Sequence, residues 1–363
     1  MLNPSLGLLA AYLVTLSTGS PFTVDKTSQP ISPRISSYPK LSWKLLSTGS
    51  ESQFRGLAPV SDKVVWVSGT KGTVLRSEDG GSTWASVGPA LSADDAGLEF
   101  RDIEAWSAEK AVILSIGEGT DSRIYFTDDG GDSWTQSFSN QEASAFYDCI
   151  AFESPERGMA MSDPVDGKIR LIETLDGGKS WSIIDPSGMP LALEGEFGFA
   201  ASGTCIATAA IRWYIASGGV NPGRIFRSEN GYQWEVSNSS IAGGEAGGVF
   251  SVQFLDKKHG IAVGGDFEAP AGAINNAAWS SDGGVTWIRS TSFPGGYRSG
   301  SSWVPGSWDT ALAVGPTGSD FTIDAGHTWH GFDNGTFDSV KCLTSHVCWA
   351  SGQNGRVARL IIA

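Results

Sequence analysis

The sequence predicts an all-β chain: a seven-bladed β-propeller in which a strand from the N-terminus completes the last blade. Three observations lead there. The phrase Ser77-Glu-Asp79-Gly80-Gly81-Ser-Thr83-Trp84 recurs from Thr127 to Trp134, Thr174 to Trp181, Ser280 to Trp287 and Thr322 to Trp329, and one residue shorter as Ser228-Glu-Asn230-Gly231-Tyr-Gln-Trp234. Steps between successive phrase tryptophans are 50, 47, 53, 53 and 42 residues, the period of propeller blades rather than of helical solenoids. Lastly, the two ends of the folded part complement each other. Ser42-Trp43-Lys-Leu-Leu46 reads as the end of a phrase and the strand after it, while three strand-like runs, Phe337–Val340, Val347–Ser351 and Arg356–Ile362, follow Trp329 with no phrase behind them. Joining the two makes a seventh blade and leaves no free edge.

The phrase itself is turn chemistry. Asp accepts backbone N–H groups of its own turn, Gly supplies positive φ, Ser or Thr adds a local hydrogen bond, and Trp buries a large ring. It resembles the Asp-box, or BNR repeat, of sialidases and other glycan-handling propellers. That resemblance implies a position between the third and fourth strands of each blade and a structural role. It does not extend to a sialidase site: no Arg-Ile-Pro phrase precedes the first repeat, since Pro33-Arg34-Ile35 has a different order.

Composition agrees with a single folded unit over residues 41–363. Forty-seven Gly and 14 Trp, in a chain that is 40% hydrophobic, fit many short strands joined by turns around a large core. The net charge of −14 and the absence of a Lys/Arg run exclude nucleic acid and anionic membranes as partners. Residues 1–20 carry an apolar stretch, Leu6–Leu16, followed by small residues. Their length is that of a secretion signal and too short for a membrane span. Residues 21–40, with Pro30, Pro33 and Pro39, read as a linker. A secreted, extracellular, monomeric protein is therefore expected. The sequons at Asn238 and Asn334 are consistent with a glycoprotein. Cys342 and Cys348 have a spacing that can staple a hairpin, and Cys149 and Cys205 open similar phrases in adjacent blades. Each pair is a candidate disulfide, and the second pair reads equally as two buried thiols.

Direction within a blade points to a site. If the repeat lies between strands three and four, the start of strand one and the turn between strands two and three share the opposite rim. Aromatic-led strand starts bring Arg55, Arg101, Asp102, Tyr147, Asp148, Tyr297 and Arg298 there, and the Gly-rich turns add Asp163, Asp166, Lys168, Asp266, Glu268 and Asp320. Three arginines can hold a carboxylate through paired N–H donors, and paired acids can act as general acid and base. The same residues serve equally as solvating groups and inter-blade ion pairs. His259, His327, His330 and His346 lack zinc-ligand spacing, and no phosphate-cradling loop or nucleophile turn is present, so neither cofactor nor metal is expected.

Phrases between the repeats carry a second resemblance. Phe54-Arg-Gly-Leu-Ala58, Val65-Trp-Val-Ser-Gly-Thr70, Met161-Ser-Asp-Pro-Val-Asp-Gly-Lys168, Ala201-Ser-Gly-Thr-Cys205, His259-Gly-Ile-Ala-Val-Gly-Gly-Asp266 and Gly296-Tyr-Arg-Ser299 resemble the photosystem II assembly/stability factor-like propellers. The resemblance implies a non-enzymatic seven-bladed scaffold, which in photosynthetic members binds a membrane-protein precursor. The expected function is thus a binding or scaffolding module that receives a protein or glycan on the rim opposite the repeats. The alternative is a secreted glycan-active enzyme, a glycoside hydrolase or polysaccharide lyase, using acids and Tyr on that rim.

Overall fold

The computed structural model describes residues 40–362; the expected secretion signal and nearly all of the linker lie outside the described residues. Helix among the described residues is limited to two single turns, Gly119–Asp121 and Pro186–Gly188. The local cause is plain in runs such as Val65–Gly69 and Ala111–Ile116, which are apolar, short and almost wholly buried. Clusters of Gly, Asp and Ser interrupt such runs before a helix could propagate.

The strands form seven four-stranded antiparallel sheets. Their innermost strands are Phe54–Pro59, Glu99–Ala105, Tyr147–Phe152, Ile206–Ala209, Gly247–Phe254, Gly300–Trp303 and Ser339–Thr344, here numbered blades 1 to 7. Each inner strand packs beside the next, and that of blade 7 packs beside that of blade 1. The ring is closed by Leu41–Leu46, which pairs with Val357–Ile362 so that Leu41 faces Ile362 and Leu46 faces Val357. Trp43 of this strand is buried, and its indole N–H donates to Ser319 Oγ at 2.9 Å in blade 6.

Between blades the core is aromatic and aliphatic. Trp66 and Phe100 are fully buried between blades 1 and 2 with Ile103 and Tyr125, and burying each such ring stabilises by about 2–3 kcal/mol. The repeated turns close by hydrogen bonding within themselves. Asp79 Oδ1 accepts the Thr83 N–H at 2.8 Å, Oδ2 accepts the Thr83 hydroxyl at 2.7 Å, and Ser77 Oγ accepts the Gly81 N–H at 2.8 Å. Gly80 and Gly81 sit at φ 74° and 86°, where a side chain would be strained. The same pattern holds around Asp129, Asp176, Asp282 and Asp324. In the shorter copy Asn230 Oδ1 accepts from the N–H groups of Tyr232 and Gln233 instead, and the turn closes one residue sooner.

Both cysteine pairs are bridged, Cys149 to Cys205 and Cys342 to Cys348. Asn238 and Asn334 are exposed at the ends of outer strands.

Candidate ligand-binding funnel

The antiparallel order puts the starts of the inner strands and the second-to-third turns on the rim opposite the repeats. A further device aims the side chains. In blades 1, 2, 3 and 5 the inner strand carries a β-bulge at its start, between Phe54 and Gly56, Phe100 and Asp102, Tyr147 and Cys149, and Val249 and Ser251. The extra residues are Arg55, Arg101, Asp148 and Phe250. A bulge places two residues opposite one and re-aims the extra side chain.

Above these bulges lies a funnel of 430 Å³ with two chemically distinct walls. One wall is aromatic: Phe199 stacks on Phe250 at 3.7 Å between centroids, Tyr297 meets Phe250 edge-on at 4.6 Å, and exposed Phe267 lies 6.3 Å from both Phe199 and Phe250. Pro270 and Pro316 extend this wall. The facing wall holds Arg55, Arg101, Asp338 and Gln353. Arg101 donates through Nε and Nη2 to Glu99 at 2.8 and 2.5 Å. Arg55 Nε stands 3.9 Å from Asp338 Oδ1, beyond hydrogen-bond reach, and has no partner. Burial lowers the Arg101 guanidinium below its ordinary range, with repulsion from Arg55 second. Burial also raises the Asp338 carboxyl, which Arg55 and a 2.9 Å bond from Gln53 partly offset.

The funnel has a floor because Phe197–Cys205 crosses the channel. The Ala200 carbonyl accepts from Arg55 Nη1 at 3.2 Å and Arg101 Nη1 at 3.3 Å, in blades 1 and 2. Ser202 Oγ donates to the Ser299 carbonyl at 2.7 Å, and the Ser202 carbonyl accepts from Ser339 Oγ at 3.1 Å. The Thr204 carbonyl accepts from the Val252 N–H at 3.1 Å in blade 5. Beneath this plug a second cavity of 230 Å³ contains Asp102 and the Glu104–Lys341 ion pair, which spans blades 2 and 7 at 2.9 Å.

Several residues expected on the funnel wall lie elsewhere. Arg298 and Asp320 form an ion pair inside blade 6, each 2% exposed, with Nε and Nη2 on Asp320 Oδ2 at 2.6 and 2.5 Å. Arg298 precedes the inner strand of blade 6, Gly300–Trp303, and the nearby carboxylate of Asp320 on the third strand of that blade takes its guanidinium inward. Tyr147 is fully buried against Phe138, and burial raises its hydroxyl above the ordinary range. Asp102 lies under the plug, accepting from the N–H groups of Ile103 and Ile150 at 2.8 and 2.7 Å; burial raises its carboxyl well above the usual range. Asp148 is buried and Asp163 half-buried beside the plug. Asp166 and Asp266 are exposed on turns, Asp266 accepting from the N–H groups of Glu268 and Ala269, and Lys168 is bound to the carbonyls of Pro186 and Ser187.

Sequence reasoning missed the plug, Phe267, Asp338 and Gln353 as funnel parts. A signal existed for the plug: the connection from Ile183 to Ile206 is long and strandless although the blade 4 repeat is a residue shorter.

Solved structures share this architecture. A YCF48 bound to a D1 peptide aligns at a TM-score of 0.60 and 14% identity, covering 88% of this chain and 96% of that one. The chain has the fold of the YCF48 propellers. YCF48 from Cyanidioschyzon merolae gives a TM-score of 0.61 at 14% identity, with 88% and 98% covered. The GH74 enzyme of Niastella koreensis gives 0.59 at 14% identity, with 86% of this chain and 53% of that chain covered, so the chain spans about half its length. No protein-family model and no curated protein matches the sequence.

Proposed function

We propose that the chain is a binding module whose funnel receives a polypeptide segment carrying a carboxylate beside a bulky apolar side chain. The observation behind this reading is the separation of the funnel into an arginine wall and an aromatic wall. Two neighbouring guanidiniums, one with an unpartnered Nε, offer charge-assisted donors to a carboxylate. The facing rings offer apolar area in defined edge and face arrangements. The peptide bound by a YCF48 propeller supports a polypeptide ligand. A glycan-active role has less support, because of the acids with raised carboxyls on that side only Asp338 lines the funnel, and general acid–base work on a glycosidic bond takes a pair. The two disulfides support folding in an oxidising compartment, in keeping with secretion.

Calorimetry with acetyl-Ala-Leu-Phe, compared with the same peptide as its C-terminal amide, tests the reading. Binding of the free acid, weakened at least about tenfold by amidation, is expected for a charge-assisted contact. Equal affinity for acid and amide, or no binding of either, would sink it. Product release from a polysaccharide panel that Arg55→Ala abolishes would transfer the funnel to an enzyme.

A further inference from the structure

We propose that Phe197–Thr204 is an internal occupant of the arginine pair, and that Asp148 and Asp163 set how firmly it is held, so that the funnel accepts ligand in a pH-dependent way. This rests on reading the funnel as a binding site.

One stretch of backbone is held from two sides. The Ala200 carbonyl takes a donor from each of Arg55 and Arg101, the groups a ligand carboxylate would need. The other side of the same stretch meets acids: Gly198 donates to Asp163 Oδ1 at 2.8 Å, and the Asp148 carboxyl packs against Gly198. Residues 198–200 are thereby suspended between two cations and two carboxyl groups. The fit is tight, because a Cβ on Gly198 would stand 2.6 Å from both Asp148 Oδ2 and the Met161 methyl. Asp148 Oδ2 is buried with no hydrogen-bond partner, so the closed arrangement leaves one acid unsatisfied. The Cys149–Cys205 bridge pins the far end of the segment, confining any lifting to the residues before it.

The charged groups facing the pair are few. Asp148 faces Asp163 and, on the other side, Arg101, which is shared with Glu99. Burial, and then Asp163, push the Asp148 carboxyl well above the usual carboxylate range; burial pushes Asp163 up to about 6. A lifted segment wets both acids and returns them toward ordinary behaviour. Since the closed form raises their affinity for protons, closure is fullest below the ordinary carboxylate range and weakens as pH rises through about 6. Raising pH frees the arginine donors.

Hydrogen–deuterium exchange over residues 197–204 of the ligand-free protein, corrected for base-catalysed intrinsic exchange, reads the latch directly. Protection is expected to fall on the order of tenfold between about pH 5 and about pH 7.5, and to stay flat in Asp148→Asn combined with Asp163→Asn. Protection that does not change in the wild-type protein overturns the latch, and that measurement needs no variant to fold. In a second arm, the affinity of acetyl-Ala-Leu-Phe should rise over the same range and lose its slope in the same double variant. Peptide affinity that ignores pH while protection stays flat overturns the latch and leaves the funnel reading intact. Protection that responds to pH, with no peptide bound at any pH, overturns the funnel reading and with it the gating of a ligand.

Discussion

The two rims use the same residue type in opposite ways. On the repeat side, Asp79 and Asp129 are exposed and saturated with donors, and the hydroxyl bonds of Thr83 and Ser133 head the causes that bring each carboxyl down to about 2. On the funnel side, Asp102, Asp148 and Asp338 are buried and Asp163 is half-buried, and loss of solvent heads the causes that raise each one. A carboxylate that closes its own turn holds the blade together. A carboxylate held dry with a lone pair unmet is a cost to folding that the rest of the ring must offset, and such groups gather where binding or switching happens.

Four experiments test this contrast, in falling order of expected effect. Breaking the Cys149–Cys205 bridge, which separates its ends by 56 residues on the funnel side, should cost about 4 kcal/mol on the chain-entropy account. Breaking Cys342–Cys348, with a separation of 6 on the repeat side, should cost about 2 kcal/mol; denaturant titration of the two Ser double variants should rank them in that order. Arg55→Ala combined with Arg101→Ala should weaken acetyl-Ala-Leu-Phe by about 3 kcal/mol with little change in Tm, and a collapse in Tm instead would make the arginines structural. Asp324→Ala removes the acceptor for the Thr328 N–H and hydroxyl at 2.8 and 2.6 Å. It should cost about 1–2 kcal/mol, seen by calorimetry, and leave peptide affinity unchanged. The smallest signal is carboxyl ¹³C titration. Asp79 and Asp129 should titrate near 2, stabilising above the ordinary range and losing that as pH falls through about 2. Asp163 should titrate near 6, its contribution present at acid pH and lost as pH rises.

The ring was legible because its signal repeats. Each copy of the turn phrase is self-contained chemistry, and six copies mark six blades whatever the tertiary surroundings. Arg55 and Arg101 were legible for a related reason, since each follows the aromatic residue that starts a bulged strand. Arg298 follows Tyr297 in the same manner, yet Asp320, on the third strand of the same blade, takes it inside. A cross-strand partner 22 residues away leaves no mark on local pattern. The plug was hidden because it has no period: its bonds run to partners in other blades, 99 and 145 residues distant for the Ala200 carbonyl.

The closing strand has a meaning for the order of events during synthesis. Leu41–Leu46 emerges from the ribosome before any other strand of the ring, and its hydrogen-bonding partner, Val357–Ile362, is the last strand to be made. Pairing at such separation is slow, because loop closure precedes any gain from contact. Six blades can form while translation proceeds, but the first strand waits through all of it with its backbone edge unpaired. Completion of the ring therefore follows the synthesis of every other strand, and the wait is when a holdase or a second nascent chain has its opportunity to meet that edge.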